Sequence, residues 1–199
     1  MNNVKGIVFD CDGTLADTMP LHWQAWQAVT EKNGIHFEEE RFYALGGVPS
    51  ADILRMLGEE QNVKLDPVAV AHEKELDYLP LLSQVQPIHD VVAIAKEYHG
   101  KLPMGVATGG TRKIITLVLE HLKIAHLFDA LVTSEDIVNQ KPAPDIFLLA
   151  AERIGVDPTS CRGYEDTDLG MQAIRSAGME AVHVRDVIGK SHILPSRSL

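Results

Sequence analysis

Two aspartates separated by a single residue, Asp10 and Asp12, stand at the end of an apolar run in "IVFDCDGTLADT", residues 7–18. In an extended chain, residues two apart project from the same side. Carboxylates that close repel and raise each other's pKa, so the pair needs a proton or a cation to hold it. Three later stretches offer matching groups: "VATGG" ends in Thr108, Gly109 and Gly110, "QKPAPD" carries Lys141, and "YED" carries Glu165 and Asp166. If brought together, these make a site of carboxylates, one ammonium, one hydroxyl and glycine-rich backbone amides. Oxygen-only donors with high negative charge beside an anion-binding loop suit Mg²⁺, and the metal in turn orients a phosphate.

Each group alone has an ordinary explanation. Glu165 and Asp166 suit a helix N-terminus, Lys141 suits solvent, and Thr108 suits an N-cap. A calcium loop is excluded by spacing: the glycine comes fourth instead of sixth, and the twelfth position is Leu21 instead of glutamate. The case for chemistry therefore rests on the ordered set and on the elements that carry it.

Those elements are five short apolar runs that read as buried strands: "GIVFD", "LPMGVAT", "DALVT", "CRGYED" and "EAVHV". Helical patterns over 88–99, 111–122, 144–154 and 168–177 alternate with the last four, and three of them stop before Gly100, Gly155 and Gly178. Alternation of this kind predicts an α/β fold, a Rossmann-like parallel sheet with helices on both faces. Ligands in such sheets bind beyond the carboxyl ends of the strands, where the four motifs fall. Residues 17–86 break the rhythm with helical patterns and no convincing strand, which predicts a helical cap inserted after strand one. Thr18 reads as an N-cap and Gly34 as the stop of the first cap helix, and Asp66 with Pro67 opens a later one. The expected division is a core of 1–16 and 87–187, a cap of 17–86, and a C-terminal tail of 188–199.

At 199 residues, 45% hydrophobic and 23% charged, the chain has an ordinary soluble composition. Its formal charge of −10 argues against general affinity for nucleic acid or anionic membrane. No apolar leader or run of about 18 apolar residues is present, so cytoplasm is the expected location and a monomer the default state. Cys11 and Cys161 read as buried free thiols.

"DCDGT", the threonine of "VATGG", the lysine of "KPAPD" and "YED" resemble, in order, the four motifs of the haloacid dehalogenase-like superfamily. The resemblance runs over about 4–184, and the insert's position matches the branch containing β-phosphoglucomutase and small sugar-phosphate phosphatases. It implies that Asp10 attacks phosphorus, and that Asp12 protonates the leaving alkoxide and later deprotonates water. Asp12, which begins protonated, distinguishes phosphoester chemistry from dehalogenation, where departing halide needs no proton. The resemblance also implies phosphoryl contacts from Thr108, Gly109 and Lys141. Its Mg²⁺ ligands would be Asp10, Asp12 through its main-chain carbonyl, Glu165 and Asp166.

In the cap, His22 and Trp26 lie four apart on one helical face and match residues near the substrate in that branch. Trp23 lies off that face and reads as packing, and the remaining histidines, His72 among them, read as structural or surface. The loop "LGGVPS" supplies Gly47 and Ser50 as substrate contacts. Where β-phosphoglucomutase has a lysine and an arginine, this chain has Gly46 and Ser50. Losing a charge-assisted contact of about 1.5–3 kcal/mol weakens bisphosphate binding roughly ten- to hundredfold. The expectation is therefore a phosphatase of small sugar phosphates such as fructose 1-phosphate. The alternatives are a mutase rescued by Arg55 or Lys113 and a non-catalytic sugar-phosphate-binding protein.

Overall fold

The computed structural model of the chain describes residues 4–189. After β1 (Gly6–Phe9) comes a two-residue strand, β2 (Ala16–Asp17), and then four helices: α1 (Met19–Lys32), α2 (Glu39–Ala44), α3 (Ser50–Gln61) and α4 (Pro67–Tyr78). A 3-10 turn (Leu79–Gln84) leads into β3 (Gln86–Pro87), which pairs antiparallel with β2. From there helices and strands alternate: α5 (His89–Tyr98), β4 (Met104–Ala107), α6 (Arg112–His121), β5 (Ala130–Val132), α7 (Asp145–Arg153), β6 (Cys161–Glu165), α8 (Asp168–Ser176) and β7 (Glu180–His183).

The main sheet runs β5-β4-β1-β6-β7 with every pairing parallel. β1, β4 and β6 are buried along their whole length, as strands covered on both faces must be. The two-residue side-chain period sorts the core into two layers. Ile7 and Phe9 pack with α5 and α6 residues such as Val91 and Ile115, while Val8 packs with Phe147 of α7 and Ile174 of α8. Because the chain runs from β1 outward to β5 and then returns to β6, the crevice at the carboxyl end of β1 is a topological switch point. The sheet and its helical cap are those read from the periodicity.

The helical insert has its own hydrophobic cluster, including Trp26, Val29, Phe37, Phe42, Leu54 and Leu57. Burying each large side chain is worth roughly 1.5–3 kcal/mol. Trp23 packs against Phe37 and Phe42, as expected of a residue off the His22 face. Asp66 caps α4, accepting from the Val68 and Ala69 amides.

Three features differ from the sequence reading. Asp17 and Gln86–Pro87 do form strand, a ladder that ties the two chain segments entering and leaving the insert. Thr18 occupies the N-cap position but its hydroxyl does not cap the helix. The helical pattern expected from 144 starts one residue later, at Asp145, with Pro144 at the N-cap of α7. The core was expected to run to residue 187, where Val184–Asp186 form a 3-10 turn and Val187 is buried; of the expected tail 188–199, residues 190–199 lie outside the described residues. Among the described residues no helix is long and apolar enough to cross a membrane.

Candidate active site

The first motif leaves the sheet through a tight turn. The Asp10 amide donates to the Tyr164 carbonyl at 3.0 Å, and the Cys11 carbonyl accepts from Thr14, Leu15 and Ala16. Gly13 has φ +81, and a Cβ there would stand 2.2 Å from Asp166 Oδ2, so only glycine lets the two acidic loops meet. Thr14 donates its hydroxyl to Asp166 Oδ1 at 3.0 Å, closing the join.

Lys141 bridges two carboxylates, donating to Asp10 Oδ1 and to Glu165 Oε2, each at 2.7 Å. Its side chain is 2% exposed, so it is no surface lysine. Glu165 is fixed from the other side, where Oε1 accepts from the Asp166 amide and from the amide and hydroxyl of Thr167. Thr167, not Glu165 or Asp166, caps α8, accepting from the Gly170 amide. Gly170 leaves room for Glu165, whose Cδ lies 2.0 Å from where a Cβ would be. The segment before Lys141 is held by Asp136, which accepts from the Thr133 amide and hydroxyl and pairs with Arg112 and Arg153.

Oxygens of Asp10, Glu165 and Asp166 lie within 4.8 Å of one another. Burial, then the Glu165 charge, drives the Asp10 carboxyl well above its ordinary range, with Lys141 opposing. The same two causes push Asp166 up to about 7. Burial works against the Lys141 charge, but Asp10 and Glu165 outweigh it and keep the ammonium charged. One lysine thus faces three carboxylates, a deficit of positive charge in an oxygen-only donor set, which fits a hard divalent cation.

Asp12 turns away from this cluster toward the insert. Thr18 donates to Asp12 Oδ1 at 2.7 Å, and His22 Nε2 lies 3.3 Å from the same oxygen. Lys74 Nζ lies 3.0 Å from His22 Nδ1. Burial lowers Lys74 to about 8, which leaves it mainly charged at neutral pH. An ammonium only donates, so Nδ1 accepts and Nε2 carries the hydrogen that goes to Asp12. Burial and then the Lys74 charge lower the His22 pKa, consistent with a neutral ring, which also stacks on Tyr78 at 4.0 Å. Burial of Asp12 is overcome by His22, Thr18 and Lys74, and its pKa falls. At rest, then, Asp12 is held ionised, the reverse of the protonated start expected from the sequence.

These groups open onto a cavity of about 380 Å³ between sheet and insert, a size suited to a small molecule. Asp10, Asp12, Thr108, Gly109 and Glu165 line its floor, and His22, Trp26, Gly47 and Ser50 line its roof. Lys141 and Asp166 lie against the floor carboxylates. Thr108 is buried and accepts from the Gly110 amide, outside the N-cap position that Thr111 fills. The residues expected to do catalysis and to bind metal, phosphate and substrate thus gather at one crevice.

The cations expected to rescue a bisphosphate site do not. Arg55 is half exposed, pairs with Asp52 and borders a different groove, and Lys113 is exposed outside the cavity. Sequence reasoning missed Lys74, the one lysine or arginine among the described residues that lines the cavity. The stripe Val70, Lys74, Tyr78, with a lysine four residues from each of two buried residues, was its available signal. Also missed was Glu75, whose Oε1 accepts from Thr111 at 3.2 Å and so joins α4 to the loop opening α6. His72, read as surface, is exposed but lines the cavity mouth.

The family model described as haloacid dehalogenase-like hydrolase matches residues 7–184. A fructose-1-phosphate phosphatase of Escherichia coli is 44% identical over 181 residues, 90% of this chain and 96% of the relative. A β-phosphoglucomutase of Bacillus subtilis is 31% identical over 192 residues, 91% of this chain and 83% of the relative. Among solved structures, a β-phosphoglucomutase from Clostridium difficile superposes with a TM-score of 0.82 at 29% identity, covering 90% of this chain and 84% of that one.

Proposed function

Since the chain belongs to the haloacid dehalogenase-like hydrolases, we propose that it is a phosphatase of small sugar phosphates, with fructose 1-phosphate as the first substrate to test. The observation that carries this reading is the division of the two motif aspartates between two environments. Asp10 is held by Lys141 on the core side, and Asp12 is held by Thr18 and His22 on the cap side.

In this mechanism an Asp10 carboxylate oxygen attacks phosphorus, the bond to the sugar oxygen breaks, and Asp12 gives that oxygen its proton. Water then attacks the aspartyl-phosphate while Asp12 takes the water's proton, releasing phosphate and restoring Asp10. Asp12 acquires its first proton with the substrate, from solvent or from the phosphate monoester itself, because its neighbours favour the ionised form. His22 holds the carboxylate in line, and Lys74 fixes the tautomer of His22. Thr108, the Gly109 amide and Lys141 bind phosphoryl oxygens. Trp26, Gly47 and Ser50 contact the sugar.

Asp10, Asp166 and Glu165, with the Asp12 carbonyl, would hold Mg²⁺, which when bound neutralises phosphoryl charge and orients the transferring group. Residues 17–86 act as a cap that moves on the paired linkers β2 and β3.

The 31% identity to a β-phosphoglucomutase and the Lys74 ammonium in the cavity support a second reading, interconversion of glucose phosphates. Phosphorus NMR with Mg²⁺ separates the two. One tube holds fructose 1-phosphate, and the other holds β-glucose 1-phosphate with trace glucose 1,6-bisphosphate. Free phosphate without glucose 6-phosphate is the expected result. Glucose 6-phosphate in the second tube favours the mutase, and no reaction in either tube refutes both.

A further inference from the structure

We infer that Gly46 is a positioning residue of the cap, and that the closed site requires the absence of a side chain there because of the methyl group of Thr167. The loop between α2 and α3 lies directly on the core. A Cβ at position 46 would stand 2.8 Å from Thr167 Cγ2 and 3.3 Å from the Tyr43 carbonyl oxygen. Gly46 is not among the residues of positive φ, so its backbone accepts any L-residue, and the constraint is space alone.

Thr167 cannot swing its methyl aside without loss. Its hydroxyl donates to Glu165 at 2.8 Å and accepts from the Gly170 amide at 3.0 Å, which fixes the rotamer. One neighbouring contact is equally close and the other is ordinary van der Waals contact. The Gly47 carbonyl oxygen lies 2.8 Å from where a Gly109 Cβ would be, and a Cβ at Gly47 would stand 3.4 Å from Lys141 Cδ. The cap loop thus reaches Gly109 because that residue has no side chain, and the same loop touches the Lys141 stem. A side chain at 46 pushes this loop off them. The same crowding means that a longer side chain at 46, charged or not, has to pass the Thr167 methyl.

The kinetic consequence rests on the phosphatase reading; the steric one does not. A loop displaced by up to an ångström costs up to about a hundredfold in rate. We therefore expect G46A to lower kcat/KM on fructose 1-phosphate roughly ten- to hundredfold, with kcat and KM both affected as for a closure defect. T167S keeps the hydroxyl and removes the methyl. In the T167S background the G46A penalty should shrink to about threefold or less, the remainder coming from the Tyr43 carbonyl.

The paired readout is backbone hydrogen exchange of peptides covering 45–49 and 108–111 in the presence of Mg²⁺ and inorganic phosphate. Exchange should quicken in G46A and return in the double variant to the rate of T167S alone. Equal G46A penalties in both backgrounds, or exchange that T167S does not restore, overturn the inference. A wild-type protein with no turnover refutes the substrate reading instead, and the exchange comparison still judges the seam.

Discussion

Replacing Lys141 by methionine removes the one ammonium that serves two buried carboxylates. Lys141, Asp10 and Glu165 have side-chain exposures of 2%, 6% and 1%, so none of the three can turn to water. Each of the two 2.7 Å bonds is donated by a charged ammonium, and such a bond is worth about 1.5–3 kcal/mol. Their sum, roughly 3–6 kcal/mol, agrees with the about 3–5 kcal/mol lost when one partner leaves a buried pair. For a chain of this length that corresponds to a fall in Tm of roughly 6–20 °C. The assay is urea denaturation followed by circular dichroism, in EDTA so that no metal substitutes for the lysine. A loss under about 1 kcal/mol would show that the carboxylates find other compensation and that Lys141 does not hold the site together.

Three further outcomes are expected. Asp136 is only partly buried, and although desolvation opposes its charge, Arg153, Thr133 and Arg112 hold its carboxyl well below the ordinary carboxylate range. D136N should therefore cost about 1–3 kcal/mol at pH 7. That stability is present above the unfolded pKa of about 4 and is lost as pH falls below it, so the gap to wild type should narrow in acid; a gap that widens would contradict the assignment. T111V removes the hydrogen bond to Glu75 that joins cap to core, so KM should rise about fivefold while the Tm holds, and an unchanged KM would mean the contact is idle. Mg²⁺ at a hundred times its Kd should raise stability by about 2.7 kcal/mol in wild type and much less in D166N, measured by thermal melting with and without EDTA; equal gains would place the ion elsewhere.

The sheet was legible because strands buried on both faces read as unbroken apolar runs, and helices such as α6 repeat Ile114, Ile115, Val118 and Leu119 on one side. The site was legible for a related reason. An open parallel sheet brings its strand ends to one crevice, so residues 10, 108, 141 and 165 could be gathered without knowing any contact. What escaped was what periodicity does not encode. The β2–β3 ladder is two residues long, and α2, six residues, is shorter than the window in which a helical moment shows. Thr18 was placed correctly at the start of α1, but no local rule sends its hydroxyl to Asp12 instead of the helix. The resting charge of Asp12 likewise depends on Lys74, 62 positions away in the chain and two contacts away in space.

The most direct test of the account is turnover of fructose 1-phosphate by D10N, assayed as released phosphate beside wild type at equal folded concentration. Loss of about a thousandfold or more, as for a removed nucleophile, is the predicted result. A D10N enzyme retaining turnover within about tenfold of wild type would contradict nucleophilic attack by Asp10.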